Sequence, residues 1–256
     1  MNLTSTITLL CPEGIVLATD MRETIIDKYT GDIIRYRDGV QKIYRVKKNT
    51  NAGISCWGLA EIASQNAQRK DIVPYLKEFD RSSVMRGDTV DVIAEKLKES
   101  LESVTPPIDD RMGFHVAGYI DFEGHRVPHL RHVFRWDWHN PGKFTNEDCH
   151  AEYHLPNGDR VLYKTRKEYP PLFNGDNLIA NALFNYAPNI KPYYDVVPHL
   201  LSLKDCIELA KLVVSTSIQR LNYFFDVRQF QKIPPIVGGG VRIAKITESN
   251  GFAWVF

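Results

Sequence analysis

Strand-forming and helix-forming segments occur in separate blocks along this chain, and that segregation limits its fold more than any other feature. Thr4 to Cys11 (TSTITLLC) is β-branched and apolar, Pro12-Glu13-Gly14 is a turn, and Ile15 to Thr19 (IVLAT) supplies an antiparallel partner. Val40 to Val46 and Ala52 to Trp57 follow as two more strands, so four strands in succession predict an antiparallel sheet. Helical spacing of apolar residues then runs from Leu59 to Phe79, where Pro74 is placed to kink or end the helix. A second helix is clearer. Asp88 is positioned to cap it, and Val90, Ile93, Ala94, Leu97 and Leu101 form one stripe before Thr105-Pro106-Pro107 stops it. Phe114 to Phe122 returns to strand, and Asn157-Gly158 marks a hairpin between Glu152–His154 and Val161–Tyr163. Helix resumes at Asn177 to Tyr186. It resumes again after Ser202, with Asp205 as a capping partner and a stripe from Leu203 to Leu221. Gly238-Gly239-Gly240, Val241 to Thr247 and Phe252 to Phe256 close the chain as strands. Runs of this kind predict an α+β domain of stacked sheets covered by helices, not alternating βαβ units.

Composition narrows the function classes. The 256 residues balance 32 Lys and Arg against 31 Asp and Glu, so no basic field advertises nucleic acid or an anionic membrane. No apolar run reaches the roughly 18 to 20 residues that span a bilayer. The start Met1-Asn2-Leu3-Thr4 lacks the basic region and apolar stretch of a signal peptide, which gives a cytoplasmic, soluble protein as the expectation. Cys11, Cys56, Cys149 and Cys206 stand far apart without C-x-x-C spacing, which argues against a disulfide framework. Cys11 and Cys206 fall on apolar faces and read as core.

Six of the eight histidines lie between His125 and His154. His129-x-x-His132 and His150-x-x-x-His154 have spacings that zinc sites use. On a strand, however, positions i and i+3 face opposite ways, so the reading is an exposed or interfacial loop and no metal. The aromatics Trp136, Trp138, Phe144, Tyr153 and Tyr163 suit either a partner surface or a small satellite core, with the core favoured. The triple glycine is no phosphate loop, because no Lys-Ser/Thr follows it and a strand comes next.

The opening TSTITLLCPEGIVLATDMR resembles the proteasome-type branch of the N-terminal nucleophile hydrolases. Thr4, Gly14 and Leu17-Ala18-Thr19-Asp20-Met21-Arg22 fall at that family's spacing without a gap. Val40-Gln41-Lys42-Ile43-Tyr44 matches its next strand, and Ser55-Cys56-Trp57-Gly58-Leu59-Ala60 its small-residue turn. Gly238-Gly239-Gly240-Val241-Arg242-Ile243 is similar to the glycine-rich lead into its last strands. The resemblance implies a four-layer αββα sandwich, with two antiparallel sheets between helical layers. It also implies one domain over 1–256, in which the His- and aromatic-rich stretch at about 125–173 is inserted. With only Met1-Asn2-Leu3 before Thr4, the chain looks like a β-type or HslV-type subunit.

The implied chemistry is amide hydrolysis. Thr4 would be the nucleophile, its own α-amine the base, Lys42 the charge that keeps that amine neutral, and Asp20 the group that orients Lys42. The backbone N–H of Gly58 would meet the oxyanion, and Arg22 would support the same charge network. The amine is free only after cleavage of Leu3–Thr4. Asp176 and Leu221 stand where the family pattern has Ser and Asp, with Asp226 able to compensate for the second. The resemblance further implies a homo-oligomeric ring acting on peptide or protein substrates, with an ATP-driven unfoldase as a possible partner. It implies no cofactor, metal, nucleic acid or membrane. Two other readings stay open: a catalytically silent ring or scaffold subunit that keeps Met1, and a hydrolase of non-peptide amides with the same nucleophile.

Overall fold

Alternation along two neighbouring strands sorts the apolar side chains into two layers. On β1 (Ser5–Cys11) and β2 (Gly14–Asp20), Ile7, Leu9, Cys11, Val16 and Ala18 face one way, whereas Ile15 and Leu17 face the other. These strands belong to a five-stranded sheet in the order β14 (Leu172–Gly175), β1, β2, β15 (Val241–Thr247), β16 (Gly251–Trp254). A second five-stranded sheet runs β11 (Thr145–Asp148), β10 (His125–Arg135), β9 (Met112–Phe122), β6 (Ala52–Gly58), β5 (Ile43–Arg45). Every pairing in both is antiparallel. This computed structural model describes residues 4–26, 30, 33–49, 51–58, 61–63, 69–104, 112–122, 124–135, 143–149, 152–154, 160–162, 172–175, 179–180, 201–223 and 237–255.

The sheets meet through Ile15, Leu17, Ala244, Ile246 and Phe252 on one side and Ile43, Ala117, Tyr119 and Leu130 on the other. Cys206, Ala210, Val213 and Val214 of the helix Leu203–Tyr223 pack on the opposite face of the first sheet. Helices α1 (Ile72–Ser82) and α2 (Val90–Val104) pack Leu76, Phe79, Ile93, Leu97 and Leu101 on Ile54, Cys56, Phe114, Val116 and Val133 of the second sheet. The helix 203–223 is α3. The result is a mixed α/β, sandwich-like fold with two large antiparallel sheets, helices α1, α2 and α3, and a helical pair at 179–180.

Local chemistry explains most boundaries. Asp205 N–H donates to Ser202 Oγ at 3.1 Å and Ser202 Oγ donates to Asp205 at 2.6 Å, closing the capping pair at the start of α3. Thr89, not Asp88, caps α2: the Val92 N–H donates to its Oγ1 at 3.4 Å, while Asp88 accepts from Met85 N–H and Lys96. Helix α1 begins at Ile72 instead of Leu59. It is preceded by a short hairpin of β7 (Glu61–Ala63) and β8 (Arg69–Asp71), and Pro74 sits in its first turn, where the missing N–H breaks no helical bond. The four early strands divide between two sheets instead of forming one, because a hairpin of β3 (Glu23–Ile26) and β4 (Ile33–Arg37) separates the pairs. The hairpin expected around Asn157-Gly158 is present as β12 (Glu152–His154) with β13 (Arg160–Leu162). Phe144 belongs to the main core beneath α1 and α2 and not to a satellite. Trp136, Trp138 and Tyr163, and most of the expected helix at 177–186, lie outside the described residues.

The sheet layer beneath Trp57 has no spare room. A Cβ added to Gly113, its partner across β6 and β9, would stand 2.5 Å from the indole ring. Gly113→Ala should therefore lower stability by about 1–3 kcal/mol in urea unfolding. An unchanged midpoint would contradict this packing.

Candidate active site

The residues singled out from sequence sit at one edge of the sandwich, at the ends of four strands. Thr4 precedes β1, Asp20 ends β2, Lys42 precedes β5 and Gly58 ends β6. Two contacts across the sheets set their relative positions. Thr6 Oγ1 donates to the Cys56 carbonyl at 3.2 Å, and Thr8 Oγ1 meets His115 Nδ1 at 2.8 Å opposite Ser55. β1 therefore runs past β6 with Thr4 toward the Gly58 end. The Cys56 N–H donates to the Lys42 carbonyl at 2.9 Å, which brings the lysine to the same end.

Thr4, Asp20 and Lys42 form one buried constellation. The Lys42 ammonium donates to Thr4 Oγ1 at 3.2 Å, to Asp20 Oδ1 at 2.8 Å and to the Arg22 carbonyl, so all three of its protons are engaged. Asp20 accepts in addition from Ser5 N–H at 3.0 Å, Arg22 N–H at 3.1 Å and Gly238 N–H at 3.2 Å. A buried ion pair survives only with such complete satisfaction. Gly58 has φ = 81°, a conformation that favours glycine, and turns the chain out of β6 toward β7, not into a helix. Arg22 joins the network through its backbone, whose N–H donates to Asp20 and whose carbonyl accepts from Lys42, and its guanidinium also feels the Asp20 charge. Its guanidinium is held by Asp38 at 2.6 and 2.8 Å, which raises its pKa further, and it packs over Tyr36.

Several partners were invisible in the sequence reading. The triple glycine is part of this site: Gly238 supplies a donor to Asp20, and a Cβ there would stand 2.8 Å from the Arg22 guanidinium carbon. Met21 N–H also donates to the Gly238 and Gly240 carbonyls at 3.0 Å. Two histidines read from sequence as loop residues are buried on β10. His129 faces α2 and meets Asp91 at 2.9 Å, whereas His132 faces the space between the sheets, as the opposite-face argument requires. There Trp57 Nε1–H donates to His132 Nε2 at 3.0 Å, and His115 bridges Thr8 to Asn174 Oδ1 at 2.6 Å. His150 and Asp176 lie outside the described residues, as do the side chains of His154 and Leu221. No group of three or more metal-ligating side chains occurs among the described residues. No helix among them is long and apolar enough to cross a membrane. Cys11 and Cys206 are buried in the core beside α3, as expected.

No protein-family model matches the chain, and no curated protein matches it. A solved structure does. Anbu (ancestral beta-subunit) from Yersinia bercovieri matches over 98% of this chain and 86% of its own, at 12% identity and a TM-score of 0.50. At that identity the likeness concerns the fold alone.

The histidine pair has a pH consequence. Burial pushes the His115 imidazolium down to about 4, and burial together with His115 pushes His132 down to about 2. Both are neutral when folded, whereas an unfolded histidine takes up a proton near 6.5. The unfolded state therefore binds more protons below that value, and stability falls as pH drops from about 6.5 toward about 4. The loss is up to about 1.4 kcal/mol per pH unit for each histidine. Urea midpoints measured across that window should show this slope. His132→Gln, which keeps an acceptor for Trp57, should flatten it, and an unaltered slope would contradict the assignment.

Proposed function

We propose that this chain is a proteasome-type N-terminal nucleophile hydrolase that cleaves peptide or other amide bonds with Thr4, after Leu3–Thr4 has been cut. The observation that carries the reading is the contact of the Lys42 ammonium with Thr4 Oγ1, made by a lysine whose other donors go to Asp20 and the Arg22 carbonyl. Support comes also from the family-like opening around Thr4 and from the likeness of fold to Anbu. In this reading the two sheets and helices α1, α2 and α3 belong to a single αββα sandwich of the N-terminal nucleophile hydrolase type.

The chemistry follows from the charges. Once freed, the Thr4 α-amine has an ordinary pKa near 7.7 to 8.0, and the adjacent ammonium favours its neutral form. The neutral amine takes the Oγ1 proton as Oγ1 attacks the substrate carbonyl carbon. The carbonyl oxygen becomes the oxyanion, with the Gly58 N–H as its donor, and a donor of this kind is worth roughly 2.7 to 4 kcal/mol. The ammonium of Thr4 then protonates the leaving amine, which departs and leaves an ester on Oγ1. Water, deprotonated by the same amine, hydrolyses the ester and restores Thr4. Lys42 never gives up its proton; it stabilises negative charge on Oγ1 and is oriented by Asp20. The steps call on no metal or nucleotide. The same reading places the protein in the cytoplasm as a homo-oligomeric ring, with peptides or proteins as substrates and an ATP-driven unfoldase as a candidate partner.

The test combines intact mass with turnover of peptide and simple amide substrates. Wild type should be processed to an N-terminal Thr4 and hydrolyse substrate. Thr4→Ala should stay full length, and Lys42→Ala should lose at least about 100-fold in rate. Wild type that keeps Met1 in the assembled state and turns over nothing would overturn the proposal in favour of a silent ring subunit. Turnover of small amides without peptide cleavage would move the substrate class.

A further inference from the structure

We propose that Cys11 and Cys206 are a redox-active pair: a peroxide converts them to a disulfide that fastens the first turn of α3 to the end of β1, and a thiol reductant releases it. The pair needs nothing from the Thr4 site. Cys11 closes β1 at the end away from Thr4, roughly 23 Å along the strand.

Two periodicities bring the thiols together. Ile7, Leu9 and Cys11 face α3 from β1 with period two, and Cys206, Ala210, Val213 and Val214 face the sheet from α3 at helical spacing. The last residue of one row meets the first fully buried residue of the other, and the two thiols are in hydrogen-bond contact. Neither is in a disulfide, and both belong to the same apolar cluster. Cys56 and Cys149 sit in different layers, the first beneath α1 and α2 and the second against the core between the sheets.

The surroundings divide the roles. Contact with the Cys206 thiol pulls the Cys11 thiol below its ordinary value, and the backbone of Glu13 and Gly14 works the same way against the cost of burial. The same contact, together with burial, holds Cys206 protonated. Cys11 is therefore the attacking thiolate and Cys206 the resolving thiol. Cys11 is 3% exposed, and Pro12 and Glu13, next in the chain, are exposed, so one turn separates its sulfur from solvent. That turn leans on α3 through the Leu203 N–H, which donates to the Glu13 carboxylate at 3.1 Å. Opening of this surface contact admits a molecule little larger than water. The Cys11 thiolate attacks one oxygen of hydrogen peroxide and breaks the O–O bond. Hydroxide leaves, takes up the proton that Cys11 gave up, and Cys11 becomes a sulfenic acid. Cys206 Sγ then attacks that sulfur, the S–O bond breaks, and hydroxide departs with the Cys206 proton as a second water. Two thiols are oxidised to one disulfide while one peroxide is reduced to two waters. A thiol reductant returns the two electrons by exchange. Because the bond joins β1 to a helix far along the chain, it closes a long loop and constrains the unfolded state strongly.

The test treats the reduced, natively folded full chain with hydrogen peroxide, alkylates it in denaturant, and reads intact mass and mapped peptides. Cys11 and Cys206 should escape alkylation, and the peptides that carry them should stay joined until dithiothreitol parts them. This cross-link should form roughly tenfold faster than any oxidation of Cys56 or Cys149. The urea midpoint should rise on oxidation of the wild type and stay unchanged on oxidation of Cys206→Ala. In that variant the Cys11 sulfenic acid should persist and be captured by dimedone, whereas Cys149→Ala should cross-link like the wild type. The wild-type peptide map needs no variant, so it decides the matter even if Cys206→Ala fails to fold. Alkylation of all four cysteines after peroxide, a link to Cys56 or Cys149 instead, or a link formed only in urea-unfolded chain overturns the pair.

Discussion

A buried lysine governs the arrangement of this edge of the molecule. Lys42 and Asp20 are both fully buried, and stripping either partner of its counter-charge would cost about 3–5 kcal/mol. The fold avoids that cost by bringing four chain segments to the pair. Thr4 and the Arg22 carbonyl take the lysine protons that Asp20 leaves, and the N–H groups of Ser5, Arg22 and Gly238 take the carboxylate lone pairs. The starts of β1 and β5, the end of β2 and the lead into β15 are therefore held in one geometry by one electrostatic requirement. A hydroxyl held at 3.2 Å from such a charge is where negative charge on oxygen is most readily accommodated.

Polar groups continue inward from that edge, between the sheets, where an apolar layer would be the simpler solution. Thr6, Thr8, His115, Asn174, Trp57 and His132 exchange hydrogen bonds across β1, β6, β9, β10 and β14. These contacts specify alignment in a way that leucine and isoleucine cannot, because each is directional and each loss leaves a buried orphan. The sheet-to-sheet register that sets Thr4 near the Gly58 end is fixed by Thr6 and Thr8. The apolar residues deeper in the sandwich, such as Leu17, Ala117 and Ile246, then supply the burial energy that makes the register worth keeping.

Much of this was legible in the chain. The period-two strands at 4–19 and 241–247 and the stripes of α2 and α3 declared themselves because their apolar spacing is regular and their turns carry Pro, Gly or Ser. Thr4, Asp20 and Lys42 were identifiable from the spacing of a family-like opening. What escaped was whatever depends on tertiary partners. Leu59 to Phe79 carries helical spacing, yet its first part pairs as a hairpin, since local pattern does not register a neighbouring strand. His132 resembled a loop residue because its burial depends on His115 and Trp57, respectively 17 and 75 positions earlier in the chain. Gly238 gave no sign that its N–H serves Asp20, 218 residues away. Arg22 was legible as part of the charge network; what was not legible is that Asp38, beyond the β3–β4 hairpin, is the carboxylate that holds its guanidinium.

The most direct test of the central claim is covalent. A peptide β-lactone acylates an activated hydroxyl, and the adduct can be located by intact mass and peptide mapping. The account predicts a single acyl group on Thr4 Oγ1 in the processed protein, with labelling lost in Lys42→Ala. Acylation elsewhere with Thr4 untouched, or labelling of Thr4 that does not depend on Lys42, would contradict it.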